Sequence, residues 1–536
     1  MELMTSYRLE FRNKNYQKGL DVEEFLRKKD DAVVELRKLK RIEHINKKRR
    51  VFVGARVAAI EPTEDSLENF SFESSLVSEE LIKFDKRLVS PQLSISERFL
   101  ILLSHIHPAE TPRILLEALT TLRKILSECS STPFSLLVRS GATMNLIKLL
   151  SQNDLALKAE IAWCLINITS GPASIATILI NQNIVPALAK AFNTSASADL
   201  IESCAWALGN LAGNSAEIKN ELINYGVAKA LVNYLLENPN IAIGHLCTLL
   251  WVLGNICGEK SSLPTSAIQD ILRIIPRMLT YSQEEVLEEV CFIISSITRE
   301  EPHIDLFLAT NAIHTIFKLI VHHNKKIQNS ALRTVGNIAA GSEAHSALLL
   351  SLDIINKLAP LLVSRSRVVK KEVLWILSNL AIGSQDHKLK IISHPCMNIV
   401  FNTLSDTDSN LKNEALWVVY NLSLSDCTNT VLKLSEERVL SKLIAILDAQ
   451  ETKLLMNAMK SIDNILTAGL EAVDQSEANP VAIRFSELGG LDALEKLQGH
   501  SNQTIYNKAV EIIKDHYAYE EIEVPCGGNI QYYNFS

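Results

Sequence analysis

Turn-forming residues are scarce in this chain, in which glycine and proline account for 19 and 15 of 536 residues. Many segments instead carry apolar residues at helical spacing, which together with that scarcity predicts an all-α fold. The chain also lacks a run of about 18 continuous apolar residues, the length that a bilayer-spanning helix needs. Its first apolar run is short and is followed by charges, so no signal peptide is visible. We therefore expect a soluble, intracellular protein with no membrane insertion.

Signatures of metal, disulfide and catalytic sites are missing as well. The nine cysteines include no CxxC pair and most lie in apolar helical stretches, which favours buried thiols over zinc ligands or disulfides. No glycine-rich phosphate loop, metal-ligand spacing or nucleophile motif appears. His322 and His323 fall in a polar, lysine-containing loop and are expected to be solvated. The sequence thus predicts neither an enzyme nor a cofactor or metal site.

Charge is distributed unevenly along the chain. The net charge is −7, yet residues 1–56 hold 16 Lys and Arg against 9 Asp and Glu, a balance of +7, which leaves −14 for the other 480 residues. A basic arm is therefore tethered to an acidic body. Such arms are typical of proteins that bind nucleic acid or membranes. Here the acidic body of the same chain is a competing target.

An internal repeat organises most of the sequence. A chain of 536 residues exceeds the size of one compact core, so it must divide into domains or form a repeat array. All five tryptophans lie in one pattern, W-x-x-x-N. The tryptophan positions recur every 41 to 45 residues, at Trp163, Trp206, Trp251, Phe292, Arg333, Trp375, Trp417 and Met459. The matching asparagine positions are Asn167, Asn210, Asn255, Ser296, Asn337, Asn379, Asn421 and Asp463.

A weaker copy around 118–127 and a last one at about 484–517 bring the number to roughly ten repeats of about 42 residues, the period of armadillo and HEAT arrays. Each repeat should end in a helix that carries the motif and should contain an earlier apolar helix, as at 185–192 and 355–363, with a proline near its start. A glycine that follows the motif is expected to close the helix in the left-handed conformation, at Gly171, Gly213, Gly258, Gly341 and Gly383. We predict an all-α, right-handed superhelical armadillo-repeat solenoid.

The motif residues do not share the core face of their helix. At about 100° per residue, the tryptophan and the asparagine four residues later lie within about 40° of each other. The positions two before, two after and five after the tryptophan are always apolar and point about 140–200° away. We therefore predict a ladder of Trp and Asn side chains that faces a binding groove rather than the core.

A ladder of this composition suits extended basic peptides. An asparagine amide donates to a peptide carbonyl and accepts from a peptide N–H. Successive indoles hold the stems of Lys or Arg, and cation–π attraction adds roughly 0.5–2 kcal/mol for each. Acidic residues one turn before the tryptophan position are expected to meet the charged heads: Glu160, Glu289, Glu372 and Glu414, with Glu285 one turn further back.

These residues resemble the importin α (karyopherin α) family, the adaptors that recognise basic nuclear localisation signals. The similar segments include AWALGNLAG at 205–213, ALRTVGNIAAG at 331–341 and KKEVLWILSNLAIG at 370–383. At the N-terminus, VELRKLKRIEHINKKRR at 34–50 is similar to the family's importin-β-binding arm. The resemblance covers nearly the whole chain.

The resemblance implies two signal-binding segments of the ladder. The major groove would comprise Trp163, Asn167, Gly171, Trp206, Asn210, Asn214, Trp251 and Asn255, with Glu160 beside them. The minor groove would comprise Arg333, Asn337, Trp375, Asn379, Trp417 and Asn421, with Glu285, Glu289, Ser346, Glu372, Ser378 and Glu414 nearby. The family anchors its key lysine in the major groove with a threonine and an aspartate, where this chain has Ala176 and Asn214, and an expected arginine is Gly258. We therefore expect weaker or differently selective binding in the major groove, whereas Ser346 still offers a hydroxyl in the minor groove.

The resemblance also assigns partners to the ends of the chain. Residues about 8–52 would bind importin β through the basic residues Arg37, Lys38, Lys40, Arg41, Lys47, Lys48, Arg49 and Arg50. The last four mimic a cargo signal and are expected to occupy the chain's own groove until importin β captures the arm. The last repeat would contact the export receptor, and the protein would shuttle between cytoplasm and nucleus.

The expected organisation is an arm at 1–56, a flexible linker at 57–88, an armadillo domain at 89–518 and a tail at 519–536. The main alternative function is an armadillo scaffold of the β-catenin kind in signalling or adhesion. That alternative predicts a groove lined by lysine and arginine for acidic partners, whereas this ladder carries Trp, Asn and Glu. For the arm alone, nucleic-acid or membrane binding is the alternative.

Overall fold

The computed structural model describes residues 72–128, 132–258, 263–473 and 478–517. Regular structure in these ranges is helical, with thirty α-helices and three 3-10 helices, and contains no strand. The all-α prediction is confirmed. The basic arm, with Arg37, Lys38, Lys40, Arg41, Lys47, Lys48, Arg49 and Arg50, lies outside the described residues, as does the predicted tail at 519–536.

The α-helices form ten consecutive groups of three, and the third helix of each group is the longest. In chain order they are α1 (Glu79–Phe84), α2 (Ile95–Ser104), α3 (Pro112–Glu128), α4 (Phe134–Arg139), α5 (Ala142–Leu149), α6 (Leu155–Thr169), α7 (Ala173–Asn181), α8 (Ile184–Thr194), α9 (Ala198–Ala212), α10 (Ala216–Asn224), α11 (Val227–Glu237), α12 (Ile243–Cys257), α13 (Thr265–Leu272), α14 (Ile275–Met278), α15 (Glu284–Ile297), α16 (Glu301–Leu308), α17 (Ile313–Leu319), α18 (Lys325–Ala340), α19 (Glu343–Ser351), α20 (Ile354–Leu358), α21 (Arg367–Leu380), α22 (Gln385–Ile392), α23 (Met397–Thr403), α24 (Ser409–Ser423), α25 (Thr428–Leu432), α26 (Glu437–Ile446), α27 (Thr452–Glu471), α28 (Pro480–Glu487), α29 (Gly490–Leu497) and α30 (Gln503–Tyr517). The 3-10 helices are Ser74–Leu76, Lys86–Val89 and Ala359–Val363. We call the third helix of each group its motif helix.

The chain divides into two compact units, and the division falls between Thr334 and Val335, inside α18. In the first unit, α3 packs on α6, α6 on α9, α9 on α12, and α12 on α15. In the second unit, α21 packs on α24, α24 on α27, and α27 on α30. Within each unit, these successive motif helices thus pack on one another, which is the packing of a repeat array.

Polar caps start several motif helices where the sequence changes from loop to apolar helix. The Asp154 side chain accepts from two backbone N–H groups at the start of α6, and Asp408 does the same for α24. Ser197 and Ser366 accept from the third residue of α9 and α21. Because a capping oxygen satisfies amide groups that have no partner within the helix, these residues fix where the motif helices begin.

The left-handed residues lie elsewhere than predicted. Positive φ occurs at Gly141, Gly226, Gly489, Asn183, Asn311 and Asp353, all between the first and second helices of a repeat. None of the five glycines expected to close the motif helices is among them. After α12, for instance, Gly258 has φ −60° and ψ 169°, so the chain leaves the helix extended. A left-handed residue suits these short connections because the chain turns sharply there, by 75° and 72° at the helix pairs joined through Asn183 and Asp353.

The two apolar stretches predicted to form a helix before the motif helix differ in their secondary structure. The stretch 185–192 lies within α8, with Pro186 in the first turn, where a missing N–H is tolerated. The stretch 355–363 is not one helix, because α20 ends at Leu358 and a 3-10 helix follows over Ala359–Val363. Pro360 has no N–H to continue the α-helical ladder, which explains the break.

Residues 72–88, which we predicted to be part of a flexible linker, are folded. Leu81 and Leu88 are completely buried. Phe72 packs edge-to-face on Phe99, with ring centroids 6.5 Å apart. The linker boundary at 88 is therefore wrong, because these apolar side chains cover the first repeat. At the other end, the repeat predicted at about 484–517 is present as α28 to α30.

Within the described ranges, no single helix is long and apolar enough to cross a membrane. Two sharply bent helix pairs, Ala173–Asn181 with Ile184–Thr194 and Glu343–Ser351 with Ile354–Val363, pass that test on length and composition together. The seven cysteines in these ranges are free thiols, and five are buried. Burial raises the pKa of Cys204 and Cys257 to about 12, which keeps these thiols protonated.

Candidate functional site

The Trp–Asn ladder lies on the motif helices as predicted. The Trp163–Asn167 pair is on α6, the pairs that begin at Trp206 and Trp251 are on α9 and α12, and the pairs that begin at Trp375 and Trp417 are on α21 and α24. The apolar positions around each pair form the core. On α6, Ile161, Leu165 and Ile168 are completely buried, and on α24 the same holds for Ala415, Val419 and Leu422.

The indoles are more buried than the helical periodicity predicted. Trp206 and Trp251 are only 4% and 8% exposed, whereas Trp163, Trp375 and Trp417 are half-buried. The Trp206 ring lies 6.5 Å from the Trp163 ring at an angle of 48°. Helical periodicity identifies the core face of one helix and takes no account of the next repeat. The prediction that the indoles point away from packed surfaces is therefore wrong for Trp206 and Trp251.

The ladder asparagines are anchored to the preceding repeat in a recurring way. Asn210 Nδ2 donates to the Ile166 carbonyl at 3.1 Å, and Asn255 Nδ2 donates to the Gly209 carbonyl at 2.9 Å. In the second unit, Asn421 Nδ2 donates to the Ser378 carbonyl at 2.8 Å. In each case the acceptor is the residue just before the preceding ladder asparagine. One N–H thereby fixes the amide plane, and in Asn210 the same Nδ2 also donates to Thr169 Oγ1 at 3.2 Å.

Two amide atoms of the minor groove have no hydrogen-bond partner among the residues that the structure describes. They are Nδ2 of Asn379 and Oδ1 of Asn421, on side chains that are 4% and 3% exposed. A buried polar atom without a partner costs about 1–3 kcal/mol. The major-groove asparagines differ, since Asn167, Asn210 and Asn255 are half-buried. In the minor groove the half-buried indoles of Trp375 and Trp417 thus belong to repeats whose amides are buried, whereas the three major-groove amides are more accessible.

Several of the predicted acidic residues already face a cation of the chain. The Glu160 carboxylate pairs with the Arg123 guanidinium at 2.5 Å. Glu414 is 5% exposed and lies 3.9 Å from Lys371 Nζ. Glu372 is also buried at 5%, Glu289 is half-buried and Glu285 is exposed. The sequence periodicity placed these acids correctly on the motif helices, but it did not reveal the internal cations.

Three residues assigned to the major groove, Ala176, Asn214 and Gly171, are packed or hydrogen-bonded within the fold. Ala176 is 1% exposed, so it presents almost no surface to a ligand. Asn214 Nδ2 donates to the carbonyl of Asn210 in its own helix at 2.9 Å. A Cβ on Gly171 would lie 2.5 Å from Phe134 Cζ, so glycine is required there for packing.

A buried lysine that the sequence did not indicate lies one repeat further along. Lys219 is 3% exposed, and its Nζ donates to the Gly258 carbonyl at 2.7 Å. Lys388 repeats this arrangement in the second unit, 7% exposed and 2.8 Å from the Leu424 carbonyl. Cations suit these carbonyls because they lie at the C-terminal ends of motif helices. A lysine is normally expected at the surface, so no sequence pattern predicts this role.

The two serines assigned to the minor groove use their hydroxyls internally. Ser346 is completely buried, and its Oγ donates to the Ala339 carbonyl at 3.0 Å. Ser378 Oγ donates to the Trp375 carbonyl at 2.9 Å. The expectation that Ser346 offers a hydroxyl at the groove surface is wrong, because α19 buries it against the end of α18.

The two central ladder positions without tryptophan, Phe292 and Arg333, lie on α15 and α18. Phe292 is half-buried and Ser296 is 7% exposed. Arg333 and Asn337 are both half-buried. Their side chains occupy the motif positions that the sequence assigned to them.

The ninth repeat was predicted in the wrong register. Met459 is completely buried, together with Ala458 and Ile462, so it belongs to the core face. Asn464 Nδ2 donates to Ser423 Oγ of the preceding motif helix at 2.9 Å, which identifies it as the ladder asparagine. The tryptophan position is then Lys460, which is exposed and lies 43 residues after Trp417. An interval of 43 already occurs earlier in the chain, between Trp163 and Trp206.

Asp463 instead belongs to a charged cluster between the last two motif helices. Its carboxylate lies 2.7 Å from Lys508 Nζ and 2.9 Å from His516 Nε2. Burial acts to raise the pKa of Asp463, but hydrogen bonds from His516 and Lys508 outweigh it and lower that pKa. Burial acts to lower the pKa of Lys508, and hydrogen bonds to Asp463 and Glu511 raise it overall. The cluster holds α30 against α27.

Among the described residues, one trio of potential metal ligands lies close together. The ligating atoms of Glu284, His322 and His323 are within 4.8 Å of one another. His323 Nε2 pairs with the Glu284 carboxylate at 2.5 Å, and 80% of the His323 side chain is exposed. His322 Nδ1 accepts the backbone N–H of Asn324 at 3.1 Å. In the neutral form of His322 that accepts this hydrogen bond, the ring proton lies on Nε2.

Three family models match the chain. The importin beta binding domain matches residues 12–93, an armadillo/beta-catenin-like repeat matches 175–213, and an atypical armadillo repeat matches 479–527. The first match begins near the start of the predicted arm and continues into the folded segment that starts at Phe72. The last match overlaps α28 to α30.

Two curated relatives match almost end to end. Importin subunit alpha-4 of Arabidopsis thaliana is 33% identical over 538 residues, which cover 99% of this chain and 96% of the relative. Importin subunit alpha-3 of the same organism is 32% identical over 521 residues, which cover 96% and 93%. Among solved structures, an engineered protein aligns with a TM-score of 0.68 and 22% identity, over 80% of this chain and 100% of its own. That structural match supports the fold alone.

Proposed function

The chain belongs to the importin α family, and from this premise we propose that it is a nuclear import adaptor that binds lysine- and arginine-rich localisation signals along its Trp–Asn ladder. The match to an importin beta binding domain over 12–93 supports importin β as the partner of the arm. The homologues are transport adaptors, so the role is binding rather than catalysis. The protein then shuttles between cytoplasm and nucleus.

The repeated anchoring of the ladder asparagines carries this proposal. Asn210, Asn255 and Asn421 each use one N–H on a carbonyl of the preceding motif helix. Their amides are therefore oriented before any ligand arrives, which lowers the entropy lost on binding. Amides oriented in this way on successive repeats can pair with the alternating N–H and C=O groups of an extended peptide. The half-buried indoles on the same motif helices supply apolar surface for long cationic side chains.

We propose that the minor groove contributes more of the side-chain binding. Trp375 and Trp417 are half-buried and offer ring surface, whereas Trp206 and Trp251 are almost covered. The loss of the family's threonine at Ala176 acts in the same direction. The major groove then holds a peptide mainly through its backbone.

The arm and the last repeat complete the proposed cycle. Residues Lys47 to Arg50 occupy the ladder when no importin β is bound, and importin β capture of residues about 8–52 frees it. A tethered competitor acts at an effective concentration of about millimolar, which is sufficient to set a threshold for cargo. The last repeat, α28 to α30, is the proposed contact for an export receptor.

A binding titration tests the adaptor function. The probe is a fluorescein-labelled peptide that contains the chain's own Lys47-Lys48-Arg49-Arg50, and the protein lacks residues 1–56, a deletion that ends before the folded segment begins. We expect this peptide to bind the shortened chain more tightly than the full chain, and addition of importin β to the full chain to restore tight binding. A peptide with the four basic residues replaced by glutamine is the control. Equal affinity for both peptides would refute the proposed function, and equal affinity of both chains would refute autoinhibition.

A further inference from the structure

Two glycines of the motif helices lie directly against a tryptophan of the next repeat. A Cβ built on Gly209 would lie 1.9 Å from Trp251 Cζ3, with Cη2 and Cε3 at 2.7 and 2.8 Å. A Cβ built on Gly336 would lie 1.9 Å from Trp375 Cζ3, with Cε3 and Cη2 at 2.5 and 2.8 Å. Carbon atoms in contact are normally about 3.5–4.0 Å apart. Each indole therefore lies where only glycine leaves room for it.

The two contacts occur at the same place in the repeat. Gly209 and Gly336 each precede a ladder asparagine, Asn210 and Asn337. The same three atoms of the six-membered indole ring make the contact in both units. In the first unit the Gly209 carbonyl also accepts Asn255 Nδ2 at 2.9 Å. A single backbone residue thus supports both the ring and the amide of the following repeat.

Other repeats carry a side chain at this position. Ile166 is the corresponding residue before Trp206, whose ring tilts by 48° against the preceding indole. Ser378 is the corresponding residue before Trp417, whose ring makes an edge-to-face contact with Tyr420 at 5.6 Å. At Gly209 and Gly336, by contrast, the indole of the following repeat occupies the space that a Cβ would need.

Helix stability gives no reason for these glycines. Both lie in the interior of a helix, where glycine is less favourable than alanine because it loses more conformational freedom on folding. Gly244 in α12 shows the contrasting case, since a Cβ there would meet nothing within 4 Å. The close approach of the ring is what distinguishes Gly209 and Gly336.

We infer that Gly209 and Gly336 are positioning residues that set the height of the Trp251 and Trp375 indoles, and thereby the slots for the stems of lysine or arginine side chains. This inference rests on the proposed function. A methyl group in place of the glycine hydrogen must push the ring away by about 1.5 Å to reach a normal contact distance. The slot beside the displaced ring then no longer matches a methylene chain.

The test uses the full-length chain and the variants Gly336→Ala and Gly209→Ala, with Gly244→Ala as a matched control. Binding of a labelled Lys/Arg-rich peptide is measured by anisotropy, and the indole N–H resonances of the five tryptophans by NMR on 15N-indole-labelled protein. The Trp375→Phe variant assigns the Trp375 resonance. For Gly336→Ala we expect that resonance to shift and the peptide to bind about 2- to 30-fold more weakly, the range that corresponds to loss of one cation–π contact. Gly244→Ala should change neither.

A double variant separates ring displacement from misfolding. Phenylalanine lacks the outer six-membered ring of indole, so Gly336→Ala combined with Trp375→Phe relieves the overlap. If Gly336→Ala fails to fold, recovery of helicity in the double variant supports the inference, and continued failure to fold overturns it. If Gly336→Ala folds with an unchanged Trp375 resonance and unchanged affinity, the inference is wrong.

The two proposals fail in different ways. If the wild-type chain does not bind basic peptides at all, the proposed function is refuted. The shift of the Trp375 resonance in Gly336→Ala still decides whether glycine positions the ring. If the wild-type chain binds and Gly336→Ala shifts the resonance without weakening binding, the glycine positions the indole but the indole height does not determine the slot.

Discussion

Two single variants, Trp206→Ala and Trp417→Ala, should rank in opposite order in their effects on stability and on peptide binding. Trp206 is 4% exposed and packs between motif helices, whereas Trp417 is half-buried. Truncation of a buried tryptophan to alanine typically costs 3–5 kcal/mol, so we expect about that for Trp206→Ala. Trp417→Ala removes a ring that is already partly in water, and its cost should be roughly half as large.

The expected order of the effects on peptide affinity is the reverse. The Trp417 ring offers a face to a lysine or arginine stem, and loss of one cation–π contact costs roughly 0.5–2 kcal/mol, or about 2- to 30-fold in Kd. Trp206 offers little ring surface, so Trp206→Ala should change the affinity for a single basic peptide by less than about threefold. The difference follows from exposure alone, since both residues occupy the same motif position.

Two assays separate these effects. Hydrogen exchange followed by mass spectrometry reports the opening of α9 and α24 individually, which matters because repeat arrays do not unfold in an all-or-none manner. Fluorescence anisotropy with a labelled Lys/Arg-rich peptide gives the affinities. The reasoning is refuted if Trp206→Ala weakens binding more than Trp417→Ala while α9 keeps its protection from exchange.

Two further predictions follow from particular contacts. Asn421→Ala should weaken binding of a basic peptide by about 1–2 kcal/mol. Asn464→Ala also removes an inter-repeat hydrogen bond, but it lies next to the exposed lysine of the ninth repeat and should leave binding unchanged. Anisotropy titrations of the two variants test this difference. The hydrogen bond from Arg87 lowers the pKa of Asp85 to about 2, so the stability that this carboxylate contributes is complete above about pH 4 and is lost as the pH falls to about 2. Asp85→Asn should therefore destabilise the first repeat by about 1 kcal/mol at pH 7 and not at pH 2, as measured by urea unfolding at both pH values.

The sequence was sufficient for the fold because the repeat gives the same information many times. Five tryptophans at similar intervals define the motif helices, and the apolar positions around them define the core. The assignment of residues to the tryptophan position of the repeat became uncertain only where the motif itself changes. In the ninth repeat Met459 and Lys460 are adjacent, and the core burial of Met459 decides between them.

The details of the site depend on contacts between residues about forty positions apart, which helical periodicity does not contain. The close approach of Trp251 to Gly209 and the pairing of Glu160 with Arg123 are of this kind. The buried Lys219 is a third case, since its partner is a backbone carbonyl 39 residues away. A backbone acceptor has no sequence signature, so only the structure identifies such a pair.

The two grooves differ in which part of a peptide they can hold, and this difference can be measured. In the major groove Asn210 and Asn255 are half-buried and border the surface that a peptide backbone would follow, whereas in the minor groove the half-buried indoles of Trp375 and Trp417 expose ring surface. Norleucine in place of each peptide lysine keeps the stem and removes the charge, and N-methylation removes a backbone donor. In the wild-type chain both changes should weaken binding.

In a variant with Trp375→Ala and Trp417→Ala, the remaining binding should be more sensitive to N-methylation than to norleucine, because it then depends on the major-groove amides. The unmodified peptide measured on the same variant is the control. If norleucine still weakens the remaining binding by more than N-methylation does, the major groove must hold lysine side chains directly. In that case the low exposure of Trp206 and Trp251 does not limit recognition, and a charged partner such as the Glu160 carboxylate must compensate.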